Sequence, residues 1–283
     1  MMTLTEDRPT YETVTVDPLE PAIGAEVSGF RMNGDVAPEQ VADVRQALLD
    51  WKVIFFRDQD VTIDEHIAFG RLFGELEVHP FTPKLYPEHP EVLAIVHDEH
   101  SKRGQNNWHS DVTWRLDPSL GSILRCRVCP PVGGDTLFAD MYAAYDGLSD
   151  EVKEQVDRAQ ARHSFRHNFG LRMDPETRDK LSEEYPDPIH PVVRTHPETG
   201  RKGIYVNSAF TVEILDVEPE ESDRLLKHLY RQASIPEYQC RFRWQENSVA
   251  FWDNRAVQHY AAFDYHPHLR HVERVTVVGD IPV

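Results

Sequence analysis

His109 and Asp111, in the run Asn-Trp-His-Ser-Asp-Val-Thr-Trp at 107–114, are the residues of this chain best suited to chemistry. The run is rich in β-branched and aromatic residues and reads as a strand. Alternate residues of a strand share a face, so the imidazole and the carboxylate would stand side by side. One histidine and one carboxylate on a rigid element are two-thirds of a two-histidine, one-carboxylate iron site. A second histidine, His259, lies far along the chain in Phe251–Tyr260, at the end of another predicted strand. The fold must therefore assemble the site. Arg270 follows, with Arg274 four positions beyond it. On a terminal strand over 270–278, Arg270, Val272, Arg274 and Thr276 share a face. Two arginines pointing together from an otherwise apolar strand suit an anion better than they suit solvent.

The elements that must hold these residues follow from pattern. Residues 11–30 read as two short strands around a glycine turn. Val41, Val44, Leu48 and Trp51 recur at helical spacing and predict a helix over 38–51. Val53–Phe56 reads as a buried strand. Thr62-Ile63-Asp64-Glu65 has the form of a capping box, opening a helix with Phe69, Leu72, Phe73 and Leu76 on one side. Val92–Val96 is another buried strand, and the polar loop 100–107 leads into the His-x-Asp run. Beyond it, Gly133-Gly134 turns into a strand at Thr136–Ala139. A helix over 141–160 and the proline- and charge-rich stretch to Pro191 read as insertions. A hairpin spans Pro191–Val206 through Pro197-Glu198-Thr199-Gly200. A helix over 219–233, strands at Gln239–Trp244 and Val249–Trp252, and the terminal strand complete the chain. This is a mainly β pattern with helical cover, pointing to a jelly roll, or double-stranded β-helix of the cupin type. We expect one catalytic domain over 1–283, with residues 1–10 flexible.

Composition narrows the function. The chain has 283 residues, 40% of them hydrophobic and 28% charged, ordinary values for a globular protein with a full core. Its 48 acidic against 30 basic residues give a net charge of −18, which argues against nucleic acid or an anionic membrane as partner. An anionic small molecule would need a local basic site working against that field. The longest apolar run is too short to cross a bilayer and no signal-type segment is seen, so the expectation is a cytoplasmic protein. Three cysteines form no disulfide framework. Cys126 and Cys129 make a C-x-x-C, but on a strand that spacing puts them on opposite faces, and no second pair completes a zinc site.

The order His109-x-Asp111, His259, Arg270 resembles the signature of the iron(II)/2-oxoglutarate dioxygenases, and the flanking sequence resembles the taurine dioxygenase family. That family also includes alkylsulfatases and 2,4-dichlorophenoxyacetate dioxygenases. The supporting stretches are Asn107–Trp114, Gly133–Leu137, His190–Pro197, Trp252–Arg255 and Arg274–Asp280. The resemblance implies Fe(II) on His109, Asp111 and His259, with 2-oxoglutarate and O2 as cosubstrates. It implies that Arg270 and Thr136 hold the distal carboxylate of 2-oxoglutarate. Arg suits that bidentate task better than Lys. It further implies that Arg274 and His79 grip the head group of a small anionic substrate, with Phe210, and Phe169 beside it, as aromatic walls. A homo-oligomer, dimer or tetramer, is implied as well. The reaction would hydroxylate a sulfonate, releasing sulfite and an aldehyde with succinate and CO2. The alternatives within the family are an alkyl sulfate ester or an aryloxyalkanoate.

Three positions depart from the taurine pattern. Thr82 stands for a tyrosine, Gly104-Gln105 for an acidic and amide pair, and Asn168 for a serine. These changes favour a tail less polar than an aminoethyl group. Outside the family, a zinc hydrolase could use the same three ligands but has no use for Arg270 and Thr136. A non-catalytic jelly-roll binding protein would need neither the triad nor the two arginines.

Overall fold

Four consecutive apolar residues such as Val53–Phe56 need a sheet covered on both faces, and the chain provides one. The computed structural model describes residues 10–33, 35–81, 85–101 and 106–283. Its largest sheet has seven strands in the order Thr15–Pro18, Ala25–Ser28, Val53–Phe56, Val249–Asp253, Gly121–Val128, Arg270–Val277 and Leu93–His97. All neighbours are antiparallel except the parallel pair Ala25–Ser28 and Val53–Phe56. Ile54, Phe56, Ile123, Val249, Phe251, Val275 and Val277 face outward under the helices Pro38–Trp51 and Ile63–Arg71. The alternate residues Val53, Phe55, Leu124, Ala250, Trp252 and Val272 face inward.

Opposite them lies a three-strand sheet of Gln239–Phe242, Thr136–Asp140 and Val257–Ala261, whose Phe138, Phe242 and Val257 complete the inner core. Two sheets packed this way form the jelly roll. Leu225, Leu226 and Leu229 of the helix Pro219–Gln232 close the outer side of the smaller sheet, together with the inserted elements around Ala161 and Val192. Gln239–Phe242 and Val249–Asp253 belong to different sheets, so the chain crosses the core between them.

Most predicted elements are found within a residue or two, including the Thr62 capping box and the hairpin turning at Gly200. The exceptions have local causes. The helix expected over 141–160 is two helices, Met141–Asp146 and Asp150–Val156, because Ser149 caps the second. Leu72, at the C-cap of its helix, is exposed, whereas Phe69 and Phe73 stay buried. Leu93–His97 is only half-buried, being the sheet edge. Cys126 and Cys129 are bridged, against expectation, with Cα atoms 6.4 Å apart. The strand slips register at Arg127 and ends at Val128, so the alternation that would separate them fails there. Residues 1–9 of the segment expected to be flexible lie outside the described residues.

One histidine of this core makes stability depend on pH. His66 is fully buried; its Nε2 meets the Ile123 carbonyl at 3.1 Å, and its Nδ1 has no partner among the described residues. Burial lowers its pKa from 6.5 to about 4. The unfolded chain therefore takes up a proton as pH falls through 6.5, while the folded chain resists until about 4. The stability is complete above the first value and lost towards the second. Between about pH 7.5 and pH 5 the loss from this residue is roughly 2 kcal/mol. Urea unfolding of His66→Gln should show an acid-side loss smaller by that amount. Identical losses in both proteins would show that His66 does not resist protonation in the fold.

Candidate metal centre and its pocket

His109 and Asp111 do converge, though not by strand alternation. Within the run 107–114 only His109 makes a β-bridge, antiparallel, to His259. The two exchange backbone hydrogen bonds, His109 N–H to His259 O at 3.2 Å and His259 N–H to His109 O at 2.8 Å. Directly opposed residues of an antiparallel pair project to the same side. The bridge therefore puts the two imidazoles together, with ring centroids 4.2 Å apart. After Ser110 the chain turns, and Val112 takes a left-handed φ of 48°. A β-branched residue held there costs on the order of 1–3 kcal/mol, strain of the kind that gathers at working sites. The turn swings the Asp111 carboxylate under both rings.

His109 Nε2 and His259 Nε2 lie 3.8 and 3.9 Å from Asp111 Oδ1. One ligand atom from each of the three residues falls within 4.8 Å of the others. His109 Nδ1 sits 2.8 Å from the Asn107 carbonyl and donates to it, which leaves the Nε2 lone pair for the centre. Burial, with His109 alongside, lowers His259 to about 3, so this imidazole is neutral and able to ligate at neutral pH. Burial alone would raise the Asp111 carboxyl. Arg274 first, then the two imidazoles and the Ser122 hydroxyl, hold it well below the carboxylate range. Two imidazole nitrogens and one carboxylate oxygen, His109 half-buried and the other two buried, match the donor set of a non-haem iron(II) centre.

Arg270, on the inner face of the terminal strand, is 5% exposed and has no carboxylate partner among the described residues. Its Nε has no partner among the described residues. The guanidinium lies 5.7 Å from the Tyr265 ring and 6.0 Å from that of Trp244. A Cβ on Gly134 would stand 3.3 Å from Arg270 Cδ, so the glycine, at φ 75°, lets the loop close against the arginine. Trp244 Nε1 donates to Thr136 Oγ1 at 3.0 Å, which leaves the threonine hydroxyl proton for an acceptor. A buried cation with no acid among the described residues, and a hydroxyl donor that shares Trp244 with it, is suited to receive an anion.

Arg274, Thr276 and Val272 share the inner face as expected. Glu273 points to the other face, where it takes the Tyr86 hydroxyl. Arg274 Nη1 instead donates to Asp111 Oδ1 at 2.7 Å, and its Nε has no partner among the described residues. With His79, His109, Asp111, Phe169 and Phe210 it lines a cavity of about 470 Å³. His79 Nδ1 accepts the Phe81 N–H at 3.2 Å, so in the neutral ring Nε2 carries the proton. Burial, then Arg274, lowers His79 to about 4, which keeps it neutral. Phe169 stacks against Phe210 with centroids 6.0 Å apart.

Of the eight sequence-predicted site residues, His79, His109, Asp111, Phe210 and Arg274 line one cavity, His259 joins His109 and Asp111, and Thr136 and Arg270 both lie beside Trp244. Asn168 also lines the cavity, whereas Thr82 and Gly104-Gln105, and with them the middle of the 100–107 loop, lie outside the described residues. Reading the sequence missed Trp244, Ser122 and Asn254, none of which has a signal of its own beyond Asn254 falling in Trp-Asp-Asn-Arg.

The sequence matches the taurine catabolism dioxygenase TauD, TfdA family over residues 15–276. It is 34% identical over 269 residues to the alkylsulfatase of Acinetobacter baylyi, covering 92% of this chain and 83% of the relative. It is 34% identical over 276 residues to the alpha-ketoglutarate-dependent sulfate ester dioxygenase of Pseudomonas putida, covering 95% and 90%. Among solved structures, a taurine dioxygenase from Burkholderia xenovorans superimposes with a TM-score of 0.82 at 39% identity, covering 96% of this chain and 93% of that one.

Proposed function

Because this chain belongs to the taurine catabolism dioxygenase family, TauD and TfdA, and is thus an Fe(II)/2-oxoglutarate-dependent dioxygenase, we propose that it oxidises a small organosulfur anion with an apolar chain. The observation that carries this is the floor of the cavity, where Arg274 and His79 offer charge and an N–H beside Asp111. Iron(II), 2-oxoglutarate and O2 together supply oxidative decarboxylation to succinate and CO2, with the second oxygen atom going to a substrate C–H bond.

His109, Asp111 and His259 would hold the iron, and Arg270 with Thr136 the distal carboxylate of 2-oxoglutarate. Arg274 bonds Asp111 through Nη1 and has its other nitrogens for a sulfonate or sulfate head group. One guanidinium thus ties the head group to a metal ligand and presents the carbon next to the head for reaction. Phe169, Phe210, Leu93 and Ile95 line the rest of the cavity and suit an alkyl or aryl tail. A hydroxylated sulfonate carbon collapses to an aldehyde and sulfite; a sulfate ester releases an aldehyde and sulfate. We place the enzyme in the cytoplasm, where 2-oxoglutarate and ferrous iron are supplied, as a homo-oligomer. No helix among the described residues is long and apolar enough to cross a membrane.

Taurine, longer alkylsulfonates, alkyl sulfates and aryloxyacetates, assayed in parallel for succinate with sulfite or sulfate, test the substrate class. Alkyl sulfonates or sulfates should exceed taurine in kcat/KM by at least about tenfold, a difference of roughly 1.4 kcal/mol for burying an apolar tail. Turnover of carboxylates alone would overturn the sulfur-anion assignment. Taurine as the best substrate would overturn the apolar tail.

A further inference from the structure

We propose that Ser122 and Asn254 are positioning residues that fix the orientation of the Asp111 carboxylate and thereby set the metal affinity of the centre. The inference rests on Asp111 being a ligand, and on a chain of hydrogen bonds whose directions are fixed by donor chemistry. Two groups meet Asn254 Oδ1: Trp252 Nε1–H at 2.9 Å and the Asp111 backbone N–H at 3.2 Å. Both are donors only, so this atom of the carboxamide must be the oxygen. The amide nitrogen is then committed to Ser119 Oγ at 2.9 Å and Ser122 Oγ at 3.1 Å. Ser122, accepting from Asn254, has a single proton to give. It gives it to Asp111 Oδ2 at 2.8 Å.

The consequence falls on the carboxylate. Ser122 occupies Oδ2, while Oδ1, which also accepts from Arg274 Nη1 at 2.7 Å, faces His109 Nε2 and His259 Nε2 at 3.8 and 3.9 Å. Asn254 also holds the Asp111 backbone, so both ends of the residue are fixed from one carboxamide. Ser122 directly opposes Trp252 in the large sheet, which explains how strands distant in sequence deliver the relay. Ser122, Trp252, Asn254 and Asp111 are all buried. Such bonds are strong in a low dielectric, and a partner left unpaired there is costly. Hydrogen bonds to metal-bound carboxylates commonly govern affinity by about 10–100-fold.

The test measures Mn(II) dissociation constants by electron paramagnetic resonance, without 2-oxoglutarate, alongside the melting temperature of the metal-free protein. Ser122→Ala and Asn254→Ala should each weaken Mn(II) binding by about 10–100-fold at a temperature where the variant is fully folded. A role in packing alone would lower the melting temperature and leave that constant unchanged. Wild-type Mn(II) affinity in folded Ser122→Ala overturns the proposal. Ser122→Ala removes a single oxygen, so it decides the question even where Asn254→Ala yields little folded protein. Asp111→Asn is the control. If it too binds Mn(II) like the wild type, the ligand assignment has failed rather than the relay.

Discussion

Asp111→Ala is expected to abolish turnover and metal binding together, the largest effect of any single substitution in the site. It removes the one anionic ligand, so Mn(II) affinity should fall by more than the roughly 100-fold cost of losing an outer hydrogen-bonding partner. The geometry adds a second consequence. Asp111 is the partner of Arg274, whose guanidinium is buried, so alanine leaves a cation without its acid. Removing one member of a buried pair costs about 3–5 kcal/mol, with the lower end fitting an arginine that opens on a cavity. The alanine variant should therefore melt several degrees lower, even though the core itself is intact. Asp111→Asn keeps a neutral acceptor for Arg274 and should recover part of the stability without restoring activity. Calorimetry and Mn(II) binding on the two variants check this. Substantial turnover by either one would remove Asp111 from the metal centre.

Arg270→Ala should act on the cosubstrate. Losing a charged contact in a desolvated site costs about 2–5 kcal/mol, a rise in the 2-oxoglutarate requirement of roughly 30-fold to several thousand-fold. The rise should be the same whichever prime substrate is offered. Mn(II) binding measured without 2-oxoglutarate should be unchanged, because Arg270 contacts none of the three proposed ligands. Arg270→Lys should recover only part of the loss, since an ammonium cannot make the paired bonds of a guanidinium. Equal weakening of metal and 2-oxoglutarate would show that Arg270 shapes the site as a whole rather than holding the cosubstrate.

The positions that carry charge or ligating nitrogen were legible in the sequence, whereas the reason they meet was only partly so. His109, Asp111, His259, Arg270 and Arg274 stand out by residue type, order and spacing. Alternation on the terminal strand correctly puts Arg270 and Arg274 on one face, because that strand is regular where they sit. It gave the wrong account of His109 and Asp111. Those two converge through a single bridge to His259 and a strained turn at Val112, and both depend on a partner distant in the chain. Cys126 and Cys129 show the same limit, since a register slip against a neighbouring strand undoes a local rule. Ser122 and Asn254 are ordinary polar residues in sequence. They acquire meaning only when the sheet sets Ser122 opposite Trp252 and turns Asn254 toward Asp111.

The most direct measurement is the stoichiometry of product release with and without O2 and 2-oxoglutarate, on the best substrate of the organosulfur panel. Iron-loaded enzyme should form one succinate for each sulfite or sulfate released, and omission of either cosubstrate should stop release. Release that continues anaerobically, without 2-oxoglutarate and with zinc in place of iron, would mean that the same three residues run a hydrolase.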